Sequence, residues 1–338
     1  MTLLDVSDVT TWFGSKQGPV RAVDGVSLQL DRGRTLGLVG ESGSGKSAFV
    51  RSIMRLHHPA SVARYDGRIL FDGTDLAQLG ARDLRAYWGP RIGIVFQNPM
   101  TSLNPVVRIG RQLTETLRAH LGLDRRAARE RAIELLTWVG IADPERRLRA
   151  YPHEFSGGMR QRVAIAIALA CEPELLIADE PTTALDVTVQ TQILALLNRI
   201  QRERGMSMIV VTHDLGVVAG IADEVAVMYA GRIVEHGATA DVVERPRMPY
   251  TGALLASIPR IDAPSQSRLP TIPGRMPSLV AADGARGCPF APRCAHATDR
   301  CVVEQPPLAQ DDHGDQSFAC WHPLTPASHA PVAQEMES

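Results

Sequence analysis

One glycine-rich segment restricts the possible folds of this chain more than any other feature. It matches the phosphate-binding pattern G-x-x-x-x-G-K-[ST] at every fixed position. The apolar run 35–39 predicts a buried strand before it, and the run 48–54 predicts the start of a helix after it, which is the context that the pattern needs. Backbone N–H groups in such a turn surround a phosphate, and the helix start adds partial positive charge. The segment consists of Gly40, Glu41, Ser42, Gly43, Ser44, Gly45, Lys46 and Ser47.

The last two residues of this segment have the side chains that a nucleoside triphosphate site needs. A lysine at this position reaches the β- and γ-phosphates, so we expect that role for Lys46. The hydroxyl that follows it ligates Mg²⁺, so we expect that role for Ser47. An ordinary glycine turn is the alternative, and the flanking strand and helix disfavour it.

The composition excludes several classes of protein. The 338 residues carry a formal net charge of −1, so the chain lacks the excess of positive charge that is typical of nucleic-acid-binding proteins. A signal peptide has a basic start followed by a long apolar core, and the N-terminal residues Met1 to Asp5 do not fit that pattern. We therefore expect no signal peptide. The longest apolar run, Val163 to Cys171, is far shorter than the roughly 20 residues of a membrane span. We therefore expect a soluble protein, and these features do not exclude a membrane partner.

The order of apolar patterns predicts an α/β core with a helical insertion. Alternation predicts strands early in the chain, and three- and four-residue spacing predicts helices from about 106 to 172. Strand signals then return, separated by helical runs, as βα units in a parallel sheet require. The predicted strands cover 4–9, 26–30, 66–73, 92–96, 175–178 and 208–211.

Prolines recur after about residue 244, and the regular patterns stop there. We expect a linker and a loop-rich tail with little helix or sheet, followed by a disordered last dozen residues. The prolines are Pro246, Pro249, Pro259, Pro264, Pro270, Pro273 and Pro277.

One of the returning strands ends in two carboxylates, Asp179 and Glu180. An acidic pair at a strand end is often only structural, but in the same sheet as a phosphate-binding loop it indicates a chemical role. We expect Asp179 to hold Mg²⁺, directly or through water. We expect Glu180 to polarise the attacking water.

Four of the five cysteines lie close together near the end of the chain, whereas Cys171 is predicted to lie in an Ala/Ile-rich helix and in the core. Thiols stay reduced in the cytosol, so clustered cysteines there indicate a metal. Their spacing, C-x₅-C-x₆-C-x₁₈-C, lacks the C-x₂₋₄-C of usual zinc modules. It suits a 4Fe–4S cluster held by four thiolates, with zinc or no metal as alternatives. The four are Cys288, Cys294, Cys301 and Cys320.

The segment 155–162 reads F-S-G-G-M-R-Q-R. It resembles the signature motif of ATP-binding cassette (ABC) ATPases, usually written L-S-G-G-Q. Ser156, Gly157 and Gly158 are kept, and a phenylalanine and a methionine replace the usual leucine and glutamine. By itself, such a segment at a helix start is either an anion cradle or an ordinary capped helix.

Further marks of ABC ATPases follow in the family's order. Gln97 resembles the Q-loop residue, whose side-chain carbonyl would contact Mg²⁺ or the attacking water. The segment 184–186 resembles the D-loop, and His213 resembles the switch histidine that contacts the γ-phosphate. Phe13 stands where the family places an aromatic residue that stacks on adenine, and Trp12 is the alternative.

This resemblance covers roughly residues 3–260. It implies the ABC cassette fold of P-loop NTPases, which has a RecA-like core, an N-terminal antiparallel β subdomain and a helical subdomain, here at about 98–172. We expect the cassette over residues 1–258, a small loop-rich domain with the cysteine cluster over 259–323, and a disordered tail over 324–338.

The resemblance also implies how ATP is used. Two cassettes would pack head to tail, with each ATP between the glycine-rich loop of one and the signature segment of the other. Ser156, Gly157 and Gly158 would then act in trans. Lys46 and Mg²⁺ from one chain, with N–H donors from its partner, would neutralise the transferring phosphoryl group.

Three segments, 97–105, 151–162 and 288–294, resemble the D-type ATPases of bacterial dipeptide and oligopeptide importers. This resemblance implies a peripheral subunit on the cytoplasmic face of the plasma membrane. Its partners would be two permease subunits, a second and often different ATPase chain, and an extracytoplasmic peptide-binding protein. A 4Fe–4S cluster at the four cysteines is also implied. Nickel, glutathione and oligosaccharide importers use near-identical ATPases, so the cargo stays open.

Other functions fit the sequence less well. Soluble ABC ATPases that act on ribosomes or DNA usually have paired cassettes, long coiled-coil insertions or basic surfaces, unlike this chain. A regulatory module based on the cysteine tail is disfavoured by the complete set of Lys46, Asp179, Glu180 and His213. A GTPase is disfavoured because the sequence has no N-K-x-D segment.

Overall fold

The computed structural model describes residues 1–97, 102–183, 185–258, 271–280, 287–311 and 316–325. Its N-terminal part is an antiparallel sheet with the strand order β2-β1-β4-β5. These strands are β1 (Thr2–Phe13), β2 (Val20–Asp31), β4 (Val62–Phe71) and β5 (Thr74–Asp75). Buried and exposed residues alternate along the second half of β2, which explains why an alternating pattern predicts it.

The second sheet forms the centre of the molecule and has the order β11-β12-β10-β9-β3-β8-β7-β6. The five strands from β9 to β6 in this order run parallel, and the remaining three are antiparallel additions. Every residue of β3, β7 and β8 is buried, as expected for strands covered on both faces. The strands are β3 (Thr35–Val39), β6 (Ile92–Val95), β7 (Leu175–Asp179), β8 (Ser207–Thr212), β9 (Glu224–Tyr229), β10 (Arg232–Ala238), β11 (Ala309–Gln310) and β12 (Gln316–Phe318).

The parallel order brings the predicted site residues to one edge of the sheet. The glycine-rich loop follows β3, Gln97 follows β6, Glu180 follows β7 and His213 follows β8. Because the carboxyl ends of parallel strands lie at the same edge, side chains that are distant in sequence can meet there.

The helices pack on this sheet or form the insertion. In the insertion, α3, α4 and α6 pack on one another around a core that includes Leu113, Leu117 and Leu136. The predicted helical insertion is confirmed between 109 and 168, whereas its first residues, 98–101, lie outside the described part of the chain. The helices are α1 (Lys46–Ile53), α2 (Ala81–Leu84), α3 (Ile109–Leu121), α4 (Arg125–Trp138), α5 (Pro144–Arg147), α6 (Gly157–Ala168), α7 (Val187–Arg204), α8 (Leu215–Ala219), α9 (Thr239–Glu244), α10 (Pro249–Ala256) and α11 (Asp299–Val303).

The position of one cysteine differs from the sequence-based expectation. Cys171 is buried as expected, but it lies in the turn after α6 and not within a helix.

None of the helices in the described ranges is both long and apolar enough to cross a membrane.

The prediction of little regular structure after residue 244 is wrong in part. Pro249 begins helix α10, a position that tolerates proline because the first N–H of a helix has no intrahelical partner. Strand β12 pairs with β10 and thereby extends the central sheet. The linker residues 259–270 and the last residues, 326–338, lie outside the described part.

A buried glutamate joins three pieces of this C-terminal region. Glu235 on β10 accepts hydrogen bonds from the backbone N–H groups of Arg247 (2.5 Å) and Met248 (3.1 Å), just before α10. It also accepts one from the Gln316 side chain on β12 (2.6 Å). Burial, the largest effect, raises the pKa of Glu235 to about 7.

Candidate active site

The glycine-rich loop holds its lysine inward. Lys46 is 4% exposed, and its Nζ donates hydrogen bonds to the carbonyl oxygens of Gly40 (2.7 Å) and Glu41 (2.9 Å). Burial lowers the pKa of Lys46, and the nearby carboxylates of Glu180, Asp179 and Glu41 oppose that shift. These contacts hold the ammonium group against the loop that is expected to surround a phosphate.

Gly45 of the loop cannot be replaced without strain. Gly45 has a φ of +107°, and a Cβ atom there would lie 2.2 Å from the carbonyl oxygen of Ala22. The left-handed backbone and the close approach of β2 therefore both require glycine at this position.

Ser47 and Asp179 form the part of the site that fits a cation. The Ser47 hydroxyl donates to Asp179 Oδ1 at 2.8 Å. Asp179 is fully buried, and its Oδ2 has no hydrogen-bond partner. Burial, the largest effect, raises the pKa of this carboxyl. An unpaired buried carboxylate oxygen is costly, and oxygen ligands of this kind are what Mg²⁺ prefers, so the pair fits a magnesium ion.

Glu180 is held by three contacts. Its backbone N–H donates to the carbonyl oxygen of Val211 on β8 at 2.9 Å. Its Oε2 accepts hydrogen bonds from the Gln97 amide (2.7 Å) and the Thr183 hydroxyl (2.9 Å). The structure therefore brings Lys46, Ser47, Gln97, Asp179 and Glu180 into one group at the edge of the parallel strands.

The other residues that the sequence predicts to contact the nucleotide are His213, Phe13 and Trp12. His213 is exposed at the end of β8. Phe13 is half-buried, with its ring edge-on to His57 at a centroid separation of 4.9 Å. The guanidinium groups of Arg21 and Arg64 lie 4.6 and 4.9 Å from the centre of the Trp12 ring. Their roles toward ATP stay predictions.

The signature segment forms the start of α6, and its serine bonds to its own helix. Ser156 is the N-cap, and its hydroxyl accepts a hydrogen bond from the N–H of Met159 at 3.3 Å. Ser156 and Gly157 are exposed, whereas a Cβ atom on Gly158 would lie 2.8 Å from Val189 of α7. In the D-loop segment, Ala184 lies outside the described residues, and Asp186 caps α7.

The four clustered cysteines line one small cavity in the C-terminal region. Backbone N–H groups of His296 and His322 donate to the sulfur atoms of Cys294 and Cys320, both at 3.4 Å. Burial raises the pKa of the Cys288 and Cys294 thiols and raises that of Cys320 to about 11. Within the described ranges, no three Cys, His, Asp or Glu side chains are grouped closely enough to hold a single metal ion.

Sequence reasoning missed three residues that support the site. Thr183 holds Glu180, Arg293 holds the Glu41 side chain, and the Tyr250 hydroxyl accepts a hydrogen bond from the Glu41 N–H. Arg293 lies within the cysteine-rich segment 288–294, but its distance from Glu41 in the chain, 252 residues, leaves no local signal of the contact.

Two protein families match this chain. The family described as ABC transporter matches residues 23–183, and the family described as oligopeptide/dipeptide transporter, C-terminal region, matches residues 234–301. The oligopeptide transport ATP-binding protein OppD of Bacillus subtilis is 47% identical over 98% of this chain and 92% of its own length. The dipeptide transport ATP-binding protein DppD of Escherichia coli is 45% identical over 97% and 98%, respectively.

Solved structures of ABC cassettes share the fold. The dimeric structure of MJ0796, a bacterial ABC transporter cassette, superposes with a TM-score of 0.63 at 28% identity and covers 70% of this chain and 98% of that one. A dimeric post-hydrolysis state of the same cassette, bound to ADP and Pi, gives a TM-score of 0.62 with the same coverage and identity.

Proposed function

This chain belongs to the ABC transporter family, and from that premise we propose that it binds and hydrolyses ATP to drive a peptide importer. The observation that carries the proposal is the group formed by Lys46, Ser47, Asp179 and Glu180. It joins a phosphate-binding loop to a buried carboxylate oxygen that has no partner.

Each residue of this group has a definite task. Lys46 exchanges its two carbonyl contacts for the β- and γ-phosphates. Ser47 and Asp179 would hold Mg²⁺, with Gln97 as a third ligand; when bound, the ion neutralises charge on the phosphates. Glu180, fixed by Gln97 and Thr183, orients the attacking water and accepts its proton.

The exposed serine and glycine of the signature segment complete the site of a second cassette. Ser156 and Gly157 present a helix N-terminus to solvent, where it can meet the terminal phosphate bound by a partner chain. The solved relatives that share this fold include dimers, one of them bound to ADP and Pi. His213 and Phe13 contact the γ-phosphate and the adenine in this arrangement.

The partners follow from the relatives that this chain resembles. The transporter consists of this chain, a second ATPase chain, two permease subunits and an extracytoplasmic peptide-binding protein. This chain lies on the cytoplasmic face of the membrane. Peptides are the proposed cargo because relatives along nearly the whole chain are named for oligopeptide or dipeptide transport. Nickel, glutathione or oligosaccharides are the alternative cargoes.

Affinity purification of the tagged chain from its native membranes tests this proposal. We expect two polytopic membrane subunits to co-purify, and we expect a peptide-loaded binding protein to stimulate ATP hydrolysis by the reconstituted complex. Lys46→Ala in the same complex is the control, and it should abolish the stimulated hydrolysis. Recovery with ribosomes or DNA and no membrane subunit would contradict the proposal. A binding protein loaded with nickel or a sugar would contradict only the cargo.

We also propose that Cys288, Cys294, Cys301 and Cys320 hold a 4Fe–4S cluster, with zinc as the alternative. The four thiols line one cavity, and N–H groups point at two of the sulfur atoms, as is common around iron–sulfur clusters. A cluster is larger than one ion, so its thiolates surround a space and do not converge on one point. Binding would displace the protons that burial keeps on the thiols of Cys288, Cys294 and Cys320, whose pKa values it raises.

Anaerobic purification, followed by visible absorption and by iron and sulfide analysis, decides between these metals. We expect a coloured protein whose iron and sulfide are lost in Cys294→Ser and kept in Cys171→Ala, since Cys171 lies far from the cluster in the sequence and is absent from its cavity. A colourless protein loaded with zinc would refute the iron–sulfur assignment.

A further inference from the structure

An arginine from the cysteine-rich segment is bound to the glycine-rich loop. The guanidinium of Arg293 donates to both carboxylate oxygens of Glu41, at 2.6 and 2.9 Å. The Arg293 side chain is 5% exposed and that of Glu41 is 28% exposed, so solvent screens this ion pair little. Its other N–H groups donate to the carbonyl oxygen of Pro273 (2.8 Å) and the hydroxyl of Tyr229 (3.2 Å).

The backbone of Glu41 is held from the same side. Its N–H donates to the hydroxyl of Tyr250 on α10 at 2.8 Å, and its carbonyl accepts the Lys46 ammonium at 2.9 Å. Tyr250 packs against Tyr229 and Phe290, with ring centroids 4.5 and 5.3 Å away. Residues from the C-terminal region therefore fix both the side chain and the backbone of one loop residue.

Unlike an ordinary surface ion pair, the Arg293–Glu41 pair can pass a change in the position of Arg293 on to the glycine-rich loop. A bidentate guanidinium–carboxylate pair fixes orientation as well as distance, which a lysine could not do. Glu41 lies directly after Gly40, and its carbonyl is one of the two that hold Lys46. A displacement of Arg293 therefore moves Glu41, and with it the carbonyl oxygen that must release Lys46 when a phosphate binds.

We propose that Arg293 is a positioning residue that acts through Glu41, so that the C-terminal cysteine-rich segment sets the affinity of the loop for ATP. This inference rests on the proposed ATP-binding function. Arg293 directly precedes Cys294, so its side chain links the cysteine cluster to the nucleotide site. Because coupling free energies are reciprocal, ATP binding must also stabilise the segment around Arg293.

Equilibrium binding of ATP to the purified full chain tests the coupling. Arg293→Met keeps the length of the side chain and removes its charge, and Glu41→Ala removes the partner carboxylate. We expect each to weaken ATP binding about tenfold, and we expect the double variant to be no weaker than either single variant, as for two residues that act as a unit. The full transporter should show a raised KM for ATP with kcat changed less than about threefold. Arg275→Met, an exposed arginine of the same region, is the matched control.

Hydrogen exchange provides a readout that does not depend on activity. A non-hydrolysable ATP analogue should slow exchange at the amides of Ala291 and Cys294 in the wild-type chain and should not do so in Glu41→Ala. These amides donate within the segment, to Cys288 and Ala291, and so report its stability. If Arg293→Met does not fold, Glu41→Ala alone decides, because it leaves the Arg293 contacts to Pro273 and Tyr229 in place.

The outcomes separate the two proposals. A wild-type chain that binds no ATP would refute the proposed function. A wild-type chain that binds ATP while Glu41→Ala binds it equally well would refute the coupling alone. A double variant weakened by the product of the two single effects would also refute it, because Arg293 would then act independently of Glu41.

Discussion

Glu180 occupies a backbone conformation that glutamate rarely adopts. Its φ is +46°, in the left-handed region, and a bond from its N–H to Val211 on the neighbouring strand helps to keep it there. Such strain persists only where the surroundings enforce it, and it recurs at active sites. Together with the bonds from Gln97 and Thr183, it gives the carboxylate one orientation, which suits a base that must meet a water molecule.

We expect Glu180→Gln to bind ATP normally and to hydrolyse it at least about a hundredfold more slowly, because an amide cannot accept the proton of the attacking water. The measurement is phosphate release by the assembled transporter, with ATP binding followed separately. Glu203→Gln, at an exposed glutamate of α7, serves as the control and should hydrolyse normally. Near-normal turnover by Glu180→Gln would rule out Glu180 as the base.

At this scale, the sequence predicts the residues of a local pattern well and long-range partners poorly. The spacing within one loop identifies Lys46 and Ser47, and a carboxylate after an apolar strand identifies Asp179. The Arg293–Glu41 pair joins residues 252 positions apart, and only the fold brings them together. The same limit applies to Tyr250, whose role depends on the way that α10 packs beside the loop.

At the scale of elements, the strongest patterns gave the correct structure. Fully apolar runs became the buried strands β3, β7 and β8. The C-terminal region was harder because its elements are short and depend on partners from elsewhere. Strand β12 has three residues and exists by pairing with β10, and α10 follows a backbone segment held by the buried Glu235.

The pH dependence of stability should reveal this glutamate. Its pKa is raised from 4.5 to about 7 by burial, so the folded chain binds the proton more tightly than the unfolded chain does. Its favourable contribution is therefore complete below about pH 4.5 and is lost as the pH rises through 7. The loss should amount to about 3 kcal/mol, from roughly 1.4 kcal/mol per pKa unit.

Denaturant unfolding of the wild type and of Glu235→Gln across this range measures the effect. The wild type should lose stability relative to the variant as the pH rises, because a glutamine side chain does not titrate. Glu244→Gln, at an exposed position of α9, controls for the loss of a surface carboxylate and should follow the wild type. Parallel curves for the wild type and Glu235→Gln would show that Glu235 does not titrate in this range.

At the scale of the whole molecule, the two segments that we propose to bind phosphate lie in different surroundings. The glycine-rich loop at the carboxyl edge of the sheet holds the buried lysine and carboxylates. In the signature segment on the helical insertion, Ser156 and Gly157 are exposed, and the serine hydroxyl caps its own helix. In the proposed function, this exposed helix N-terminus contributes to the phosphate site of a second chain.

A substitution in the signature segment should therefore separate binding from hydrolysis. Ser156→Arg places a long cation where a partner's nucleotide must dock, but it leaves the loop around Lys46 intact. We expect ATP affinity of the separate chain to stay within about twofold of the wild type, while hydrolysis by the assembled transporter falls at least about tenfold, since preorganised donors to the transferring phosphoryl group are lost. Thr137→Arg, at an exposed hydroxyl of α4 on the same insertion, is the matched control and should retain hydrolysis. Full hydrolysis by Ser156→Arg, or by a strictly monomeric preparation, would mean that one chain completes its own site.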